Sequence, residues 1–326
     1  MLPKFSYVRA TSLDEAVRLL SSDDGARVCA GGSDLLGCLR DQVFECSRVV
    51  SLTGIDGLRG IARTRDGGVR IGALTTIADV AADPTINQSY PGLAQAAGEL
   101  ASPQLRNQGT IGGNICQKPR CWYYRGDFDC LRKGGTTCHA VAGESEFHCI
   151  LGGAGCFVVH PSDTAPALVA LQATVRIAGR RGTRSVPMEE FYVLPNQDVR
   201  RETVLEPHEI VTEIVLPRPA AGMRSSYHKV RARGAWDFAL AGVALALQFS
   251  GNRVTAGRVV LSGAAPTPWR SREAEEAIIG KQLDAATAAA AGRAAMEDAV
   301  PLRRNGYKIP LFQGVIEEAL LAIGRA

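Results

Sequence analysis

Six of the nine cysteines, Cys116, Cys121, Cys130, Cys138, Cys149 and Cys156, fall within 41 residues, while Cys29, Cys38 and Cys46 are scattered upstream. A cluster of thiols this dense implies a chemical use. Cys121, Cys130, Cys138 and Cys156 are separated by nine, eight and eighteen residues, far looser than the C-x2-C runs of bacterial ferredoxins or zinc ribbons. Four thiolates suit tetrahedral zinc or an iron–sulfur cluster, and spacing alone leaves both open beside a set of reduced, unbridged cysteines. A disulfide framework is disfavoured, because the total is odd and no export signal accompanies it. Arg120, Arg125, Arg132 and Lys133 surround the four positions, as expected where thiolates concentrate negative charge. His139, His148 and His160 lie in the same segment but are not required as ligands; they read as hydrogen-bonded loop residues.

A second chemistry is written in glycine. Cys29-Ala30-Gly31-Gly32-Ser33-Asp34 joins a strand to a helix, and Thr110-Ile111-Gly112-Gly113-Asn114 repeats the arrangement about eighty residues later. Such a turn aims several backbone N–H groups at one point near a helix N-terminus, which suits a phosphate. Two of them could clasp one pyrophosphate. Neither G-x-G-x-x-G nor G-x-x-x-x-G-K-[ST] occurs, so a dinucleotide here would need a fold other than the Rossmann or P-loop type.

The elements that must carry these motifs follow from patterning. Residues 5–8 read as a strand, and Ser12 with Glu15 forms a capping box opening an amphipathic helix to residue 20. Strands at 27–30 and 48–52 flank the first glycine turn and its short helix. A hairpin turns at Asp66-Gly67-Gly68, followed by helices near 77–82 and 92–100. Residues 104–155 show little periodicity, and so long an irregular stretch in a compact domain is usually functional. A helix at 164–171 and strands at 173–177 and 209–216 lead to the linker Pro217-Arg218-Pro219-Ala220-Ala221-Gly222. Beyond it, strands near 227–230, 238–249 and 257–262 and helices near 271–279, 285–298 and 311–323 read as a separate α+β domain.

The segments AGGSDLL, IGALTTIADV, QLRNQGTIGGNI, PSDTAPALVAL and KVRARGAWDFALAGVALAL occur in this order. Together they resemble the FAD-binding medium subunit of the xanthine dehydrogenase and carbon monoxide dehydrogenase family of molybdenum hydroxylases. That resemblance implies an α+β chain: a two-subdomain FAD-binding fold of the vanillyl-alcohol-oxidase (PCMH) type over 1–218, with subdomains of about 1–56 and 57–218, then a C-terminal α+β domain over 223–326. It implies that the diphosphate is wrapped by Ala30, Gly31, Gly32, Ser33 and Asp34, with their neighbours Cys29 and Leu35, and by Thr110, Ile111, Gly112, Gly113 and Asn114, with Ser102 nearby. Asp163 would contact ribityl or ribose hydroxyls, and Lys229 would lie close to the flavin. Read for themselves, Ser102 and Asp163 have helix capping as their alternative, and Lys229 a solvated surface charge.

The cysteine segment (116–156) is similar to an insertion in the 4-hydroxybenzoyl-CoA reductase and periplasmic aldehyde oxidoreductase types, which implies a [4Fe-4S] cluster on Cys121, Cys130, Cys138 and Cys156. Cys149 and Cys116 read as buried packing residues. The implied role is an FAD- and [4Fe-4S]-containing electron-transfer subunit, an oxidoreductase component with no acid–base residue of its own. Nothing in the chain suits molybdopterin, and the plant-type cysteine run is absent. Those centres would sit on a large molybdopterin subunit and a small subunit with two [2Fe-2S] clusters, with electrons exchanged with an external acceptor or donor. A rival is a self-contained flavin oxidase, and another a zinc protein on a vestigial flavin fold.

Composition narrows the partners further. The 326 residues are 46% hydrophobic and 21% charged, with 37 Lys and Arg against 33 Asp and Glu, so disorder and a nucleic-acid partner both lack support. The longest apolar run, residues 238–247, is half a membrane span. The expected location is cytoplasmic, or periplasmic if a partner carries the signal.

Overall fold

Ser12 accepts the Glu15 N–H at the start of helix α1 (Leu13–Ser21). The reciprocal contact departs from a capping box, since the Glu15 carboxylate accepts the N–H of Thr11, at 2.8 Å, rather than that of Ser12. In the computed structural model, which describes residues 1–325, α1 crosses between β1 (Ser6–Arg9) and β2 (Ala26–Cys29), and both pair in parallel with β3 (Arg48–Ser51). Parallel pairing demands such a crossover. Helix α2 (Leu35–Arg40) follows β2. The first glycine turn therefore sits at the carboxyl end of a parallel strand, where α/β sheets offer ligand sites.

The expected hairpin is formed by β4 (Ile61–Arg63) and β5 (Val69–Gly72), with Gly67 at φ +86° in its turn, a conformation that glycine adopts without strain. After it come α3 (Ile77–Ala82), α4 (Pro84–Ser89), α5 (Pro91–Gly98), α6 (Pro103–Gln108), α7 (Ile111–Ile115), α8 (Trp122–Arg125) and α9 (Thr164–Ala170). The segment 104–155 is thus less irregular than its patterning suggests. Its pieces, including a 3-10 turn at Leu131–Lys133, are too short for an apolar stripe to repeat.

Strands β6 (Thr174–Gly179), β7 (Gly182–Pro187) and β8 (Ile210–Leu216) complete a sheet ordered β4-β5-β8-β6-β7. Strand β7 has no signature in the hydropathy pattern: it is an edge strand whose residues from Gly182 to Ser185 are exposed, and only Val186 points inward. Past Pro217 the chain enters another sheet, ordered β12-β11-β10-β9, from β9 (Met223–Val230), β10 (Ala241–Ser250), β11 (Arg253–Ser262) and β12 (Trp269–Arg270). Helices α10 (Arg272–Ile278), α11 (Ala285–Ala294) and α12 (Lys308–Arg325) cover it.

The apolar run in β10 is explained by burial on both faces. Val243, Leu245 and Leu247 pack beneath the three helices, while Ala244 and Ala246 join the core built around Ile71, Leu93 and Leu168. Gly92 of α5 lies so close to β9 that a Cβ there would stand 2.9 Å from the Ser226 nitrogen, and Gln95 accepts the Tyr227 N–H. The last unit is thereby fastened to the middle one. Among the described residues no helix is long and apolar enough to cross a membrane.

Candidate functional site

A cavity of about 710 Å³ opens where the three units meet, within the range of about 300–1,000 Å³ common to cofactor sites. Its walls include Ala30, Gly31, Gly32, Ser33, Asp34 and Leu35 from the first turn, Thr110, Gly112, Gly113 and Asn114 from the second, and Asp163. Cys29, Ser102, Ile111 and Lys229 do not line it. Sequence reasoning missed the opposite wall, Arg233, Trp236, Asp237 and Phe238, from the loop between β9 and β10. Trp236 is held there at φ +54° by donating its N–H to the Ala101 carbonyl at 3.0 Å. The local signal was two exposed aromatics in a short polar loop.

The two glycine turns differ in what they leave free. At the first, no acceptor among the described residues takes the N–H groups of Gly32, Ser33 or Asp34. Gly32 adopts φ +75° and Asp34, two residues on, is right-handed, an alternation of hand of the kind found in anion nests. At the second, the N–H groups of Ile111, Gly112, Gly113 and Asn114 are already spent on Thr75 O, Ala73 O, Thr110 Oγ1 and Thr110 O. The pairing of two equivalent nests is therefore corrected. The first turn is open to a diphosphate, while the second supplies close-packed wall, Gly112 standing where a Cβ would lie 2.8 Å from that of Ala73.

Asp163 is not a helix cap, because its side chain makes no cap bond and Ser162 Oγ accepts the Ala165 N–H instead. It accepts the Tyr227 hydroxyl at 2.7 Å and the Lys229 ammonium at 2.8 Å. Burial raises the carboxyl above its ordinary range, and Lys229 and Tyr227 work against that. Lys229 is completely buried behind Asp163 and also bonds to the carbonyls of Glu99 and Asp237. It is neither a surface charge nor a wall of the cavity. Ser102 accepts the Leu105 N–H and caps α6. Lys229→Met should strand a buried carboxylate and lower the unfolding free energy by about 3 kcal/mol, measured in urea, with the double variant Asp163→Asn/Lys229→Met recovering part of the loss.

In the cysteine segment the thiols share one neighbourhood. Burial pushes Cys121 up to about 12, and ionised Cys130 and Cys156 would repel it further. Cys156 is likewise raised by burial, with Cys138 adding to the rise and Arg132 opposing it. Cys149 is also close, raised by burial and repelled by Cys156 and Cys138. Arg132 approaches the Cys156 sulfur at 4.0 Å and holds buried Glu202 at 2.7 Å, while His148 Nε2 lies 3.2 Å from Cys121 Sγ. Burial works against the Glu202 charge, but Lys118 and Arg132 prevail and keep it below the usual carboxylate range. All nine cysteines are unbridged. Among the described residues no three His, Cys, Asp or Glu side chains are placed to grip a single metal ion. As a donor set, soft sulfurs would suit either zinc or an iron–sulfur centre.

His160, next to this segment, is buried against Tyr192, and its Nε2 has no hydrogen-bond partner among the described residues. Burial lowers its pKa to about 3 from 6.5. Because the folded value is depressed, the unfolded chain takes up the proton first as the pH falls. Stability should drop between pH 6.5 and 3 by up to about 1.4 kcal/mol per unit. Denaturation midpoints across that window should fall less steeply in His160→Gln.

Comparison with known proteins agrees with this geometry. Residues 3–219 match the family described as the FAD binding domain in molybdopterin dehydrogenase, and residues 225–323 match the CO dehydrogenase flavoprotein C-terminal domain. The chain is 36% identical over 275 residues to the aldehyde oxidoreductase FAD-binding subunit PaoB of Escherichia coli K12, covering 83% of this chain and 85% of that protein. It is 30% identical over 326 residues to the carbon monoxide dehydrogenase medium chain of Hydrogenophaga pseudoflava, covering 98% and 97%. A solved structure of carbon monoxide dehydrogenase from Hydrogenophaga pseudoflava, lacking the Mo-pyranopterin moiety, superposes with a TM-score of 0.79 at 29% identity, covering 99% of this chain and 98% of that one.

Proposed function

The chain belongs to the family of FAD-binding subunits of the molybdenum hydroxylases, and on that premise we propose that it passes electrons between the iron–sulfur relay of its partner subunits and an external acceptor or donor. It is an oxidoreductase component with FAD as cofactor. The carrying observation is the cavity itself, along whose wall Gly32, Ser33 and Asp34 have unspent N–H groups. These backbone donors would hold the diphosphate at no cost in side-chain ordering. Asp163, fixed by Lys229 and Tyr227, would accept sugar or ribityl hydroxyls, and the Asn114 amide, anchored through its oxygen by Ser162 and Thr164, would steady the adjoining wall. Trp236 and Phe238 would limit solvent access.

FAD supplies the exchange between one-electron and two-electron traffic. In the same reading Cys121, Cys130, Cys138 and Cys156 hold a [4Fe-4S] cluster, a one-electron centre beside the flavin. The similarity to PaoB supports this subtype, as does the approach of Arg132 to the Cys156 sulfur. The chain would divide into an FAD-binding part, 1–218, and a C-terminal part, 223–326. Its partners would be a large molybdopterin subunit and a small subunit with two [2Fe-2S] clusters, consistent with relatives named as medium chains.

Gentle isolation from the native host should recover both partner chains with one FAD per copy of this protein. A homomer that turns over a small organic substrate by itself would instead establish a flavin oxidase, and a colourless chain would end the flavoprotein reading.

A further inference from the structure

Asp34 heads α2 but does not cap it. Its carboxylate turns to the cysteine segment, where Oδ2 accepts the Lys118 N–H at 2.8 Å and Oδ1 accepts Arg125 Nη2 at 2.8 Å and pairs with Arg120 at 2.9 Å. One residue of the open turn thus gathers three donors from residues 118–125. The contacts continue inward: the Lys118 ammonium pairs with Glu202, Glu202 with Arg132, and Arg132 reaches the Cys156 sulfur. On the other side the Arg120 guanidinium lies 5.5 Å over the Phe238 ring, and Lys118, Arg120 and Phe238 all face the cavity.

We propose that Asp34 is a positioning residue that makes filling of the flavin cavity and ordering of the cysteine segment one linked event. The inference rests on the FAD reading above. Tyr124 and Cys130 pack against Cys38 and Val43, but the polar ties from residues 118–125 to the first turn all meet at the Asp34 carboxylate, so this stretch depends on Asp34 for its placement and can open locally without it. A ligand that needs the first turn in its nest geometry stabilises Asp34 where it stands, and with it the Lys118, Arg120 and Arg125 contacts. By linkage the reverse holds: whatever orders the segment, a metal cluster included, tightens flavin binding by the same factor. Asp34 acts here through the segment and not on reacting atoms.

The test is hydrogen exchange of peptides spanning 116–156 in the full-length, iron-free chain with and without FAD, with FAD affinity read by flavin fluorescence in the same samples. In the wild type FAD should slow exchange of these peptides about tenfold. D34N and R125M should lose most of that protection, Arg125→Lys should restore it relative to R125M, and the D34N/R125M double variant should lose no more than either single one. Loss of FAD binding by folded R125M also supports the linkage, because Arg125 does not line the cavity. Where D34N fails to bind FAD, R125M decides. FAD bound by the wild type with unchanged exchange, or protection undiminished in R125M, overturns the proposal while leaving the flavin function standing. A wild-type chain that binds no FAD either iron-free or after anaerobic reconstitution with iron and sulfide removes both.

Discussion

Gly31→Ala should empty the protein of FAD. A Cβ at Gly31 would stand 1.9 Å from the Gln108 carbonyl oxygen and 2.9 Å from its carbon, and both are backbone atoms of the second turn's approach. Gln108 Nε2 also donates to the Gly31 carbonyl at 2.8 Å, so this is the point where the halves of the cavity touch. A methyl group there must push the two turns apart and spread the N–H groups of Gly32, Ser33 and Asp34 away from a common focus. The expected loss is at least about a hundredfold in FAD affinity, near 3 kcal/mol, read from the flavin-to-protein absorbance ratio after purification. Gly32→Asp should do the same for another reason. Space exists around that position, the nearest atom being Leu36 Cδ1 at 3.5 Å, but φ is +75° and a carboxylate would face the diphosphate. Gly57→Ala is the control: φ is +82° with no atom within 4 Å and no place on the cavity wall. It should cost about 1 kcal/mol of stability and keep the flavin. Full occupancy in Gly31→Ala would show that the diphosphate lies elsewhere.

The same pair of turns marks how far the sequence could be read. The first was legible because strand, glycines and helix are contiguous, and the donors that matter are local. The second carries a matching local signature, yet Thr110 inside the motif takes the N–H groups of Gly113 and Asn114, and Thr75 and Ala73, more than thirty residues away in sequence, take those of Ile111 and Gly112. Nothing in T-I-G-G-N announces the two remote partners. Lys229 illustrates the same limit: family resemblance implies a place near the flavin, and what fixes its ammonium, the carboxylate of cavity-lining Asp163, is 66 residues away. The wall from Arg233 to Phe238 depends on the last unit folding back over the first two, a relation that periodicity within one segment does not encode. Elements with a strong local rule, the Asp66-Gly67-Gly68 hairpin and the helix start at Ser12, lie where the pattern put them.

The other large effect concerns iron. Replacing Cys121, Cys130, Cys138 or Cys156 with serine should take iron from about four per chain, the content of one [4Fe-4S] cluster, to near zero, and Cys149→Ser should leave it unchanged. Cys149 is a real competitor, since its sulfur shares the neighbourhood of Cys138 and Cys156. What separates them is their surroundings. Cys149 is fully buried, its N–H donates to Phe157 O at 2.8 Å, its carbonyl accepts from Asn305, and its sulfur would lie 3.0 Å from a Cβ at Gly153. It is packed as part of the fold, and burial opposes its ionisation. Lys308 favours a Cys149 thiolate, but burial and Cys156 outweigh it; Cys156 faces Arg132, whose buried guanidinium, fixed by Glu202, reaches the sulfur at 4.0 Å and favours a thiolate. Metal bonds closing the segment would also tie its short, irregular pieces to one another, so the ligand variants should lose loop protection together with iron. Anaerobic purification with iron and sulfide analysis and low-temperature EPR of the reduced protein measures the effect. Iron lost in Cys149→Ser but kept in Cys156→Ser would exchange the two assignments, and four zinc–sulfur distances of about 2.3 Å with no iron would replace the cluster by a zinc site.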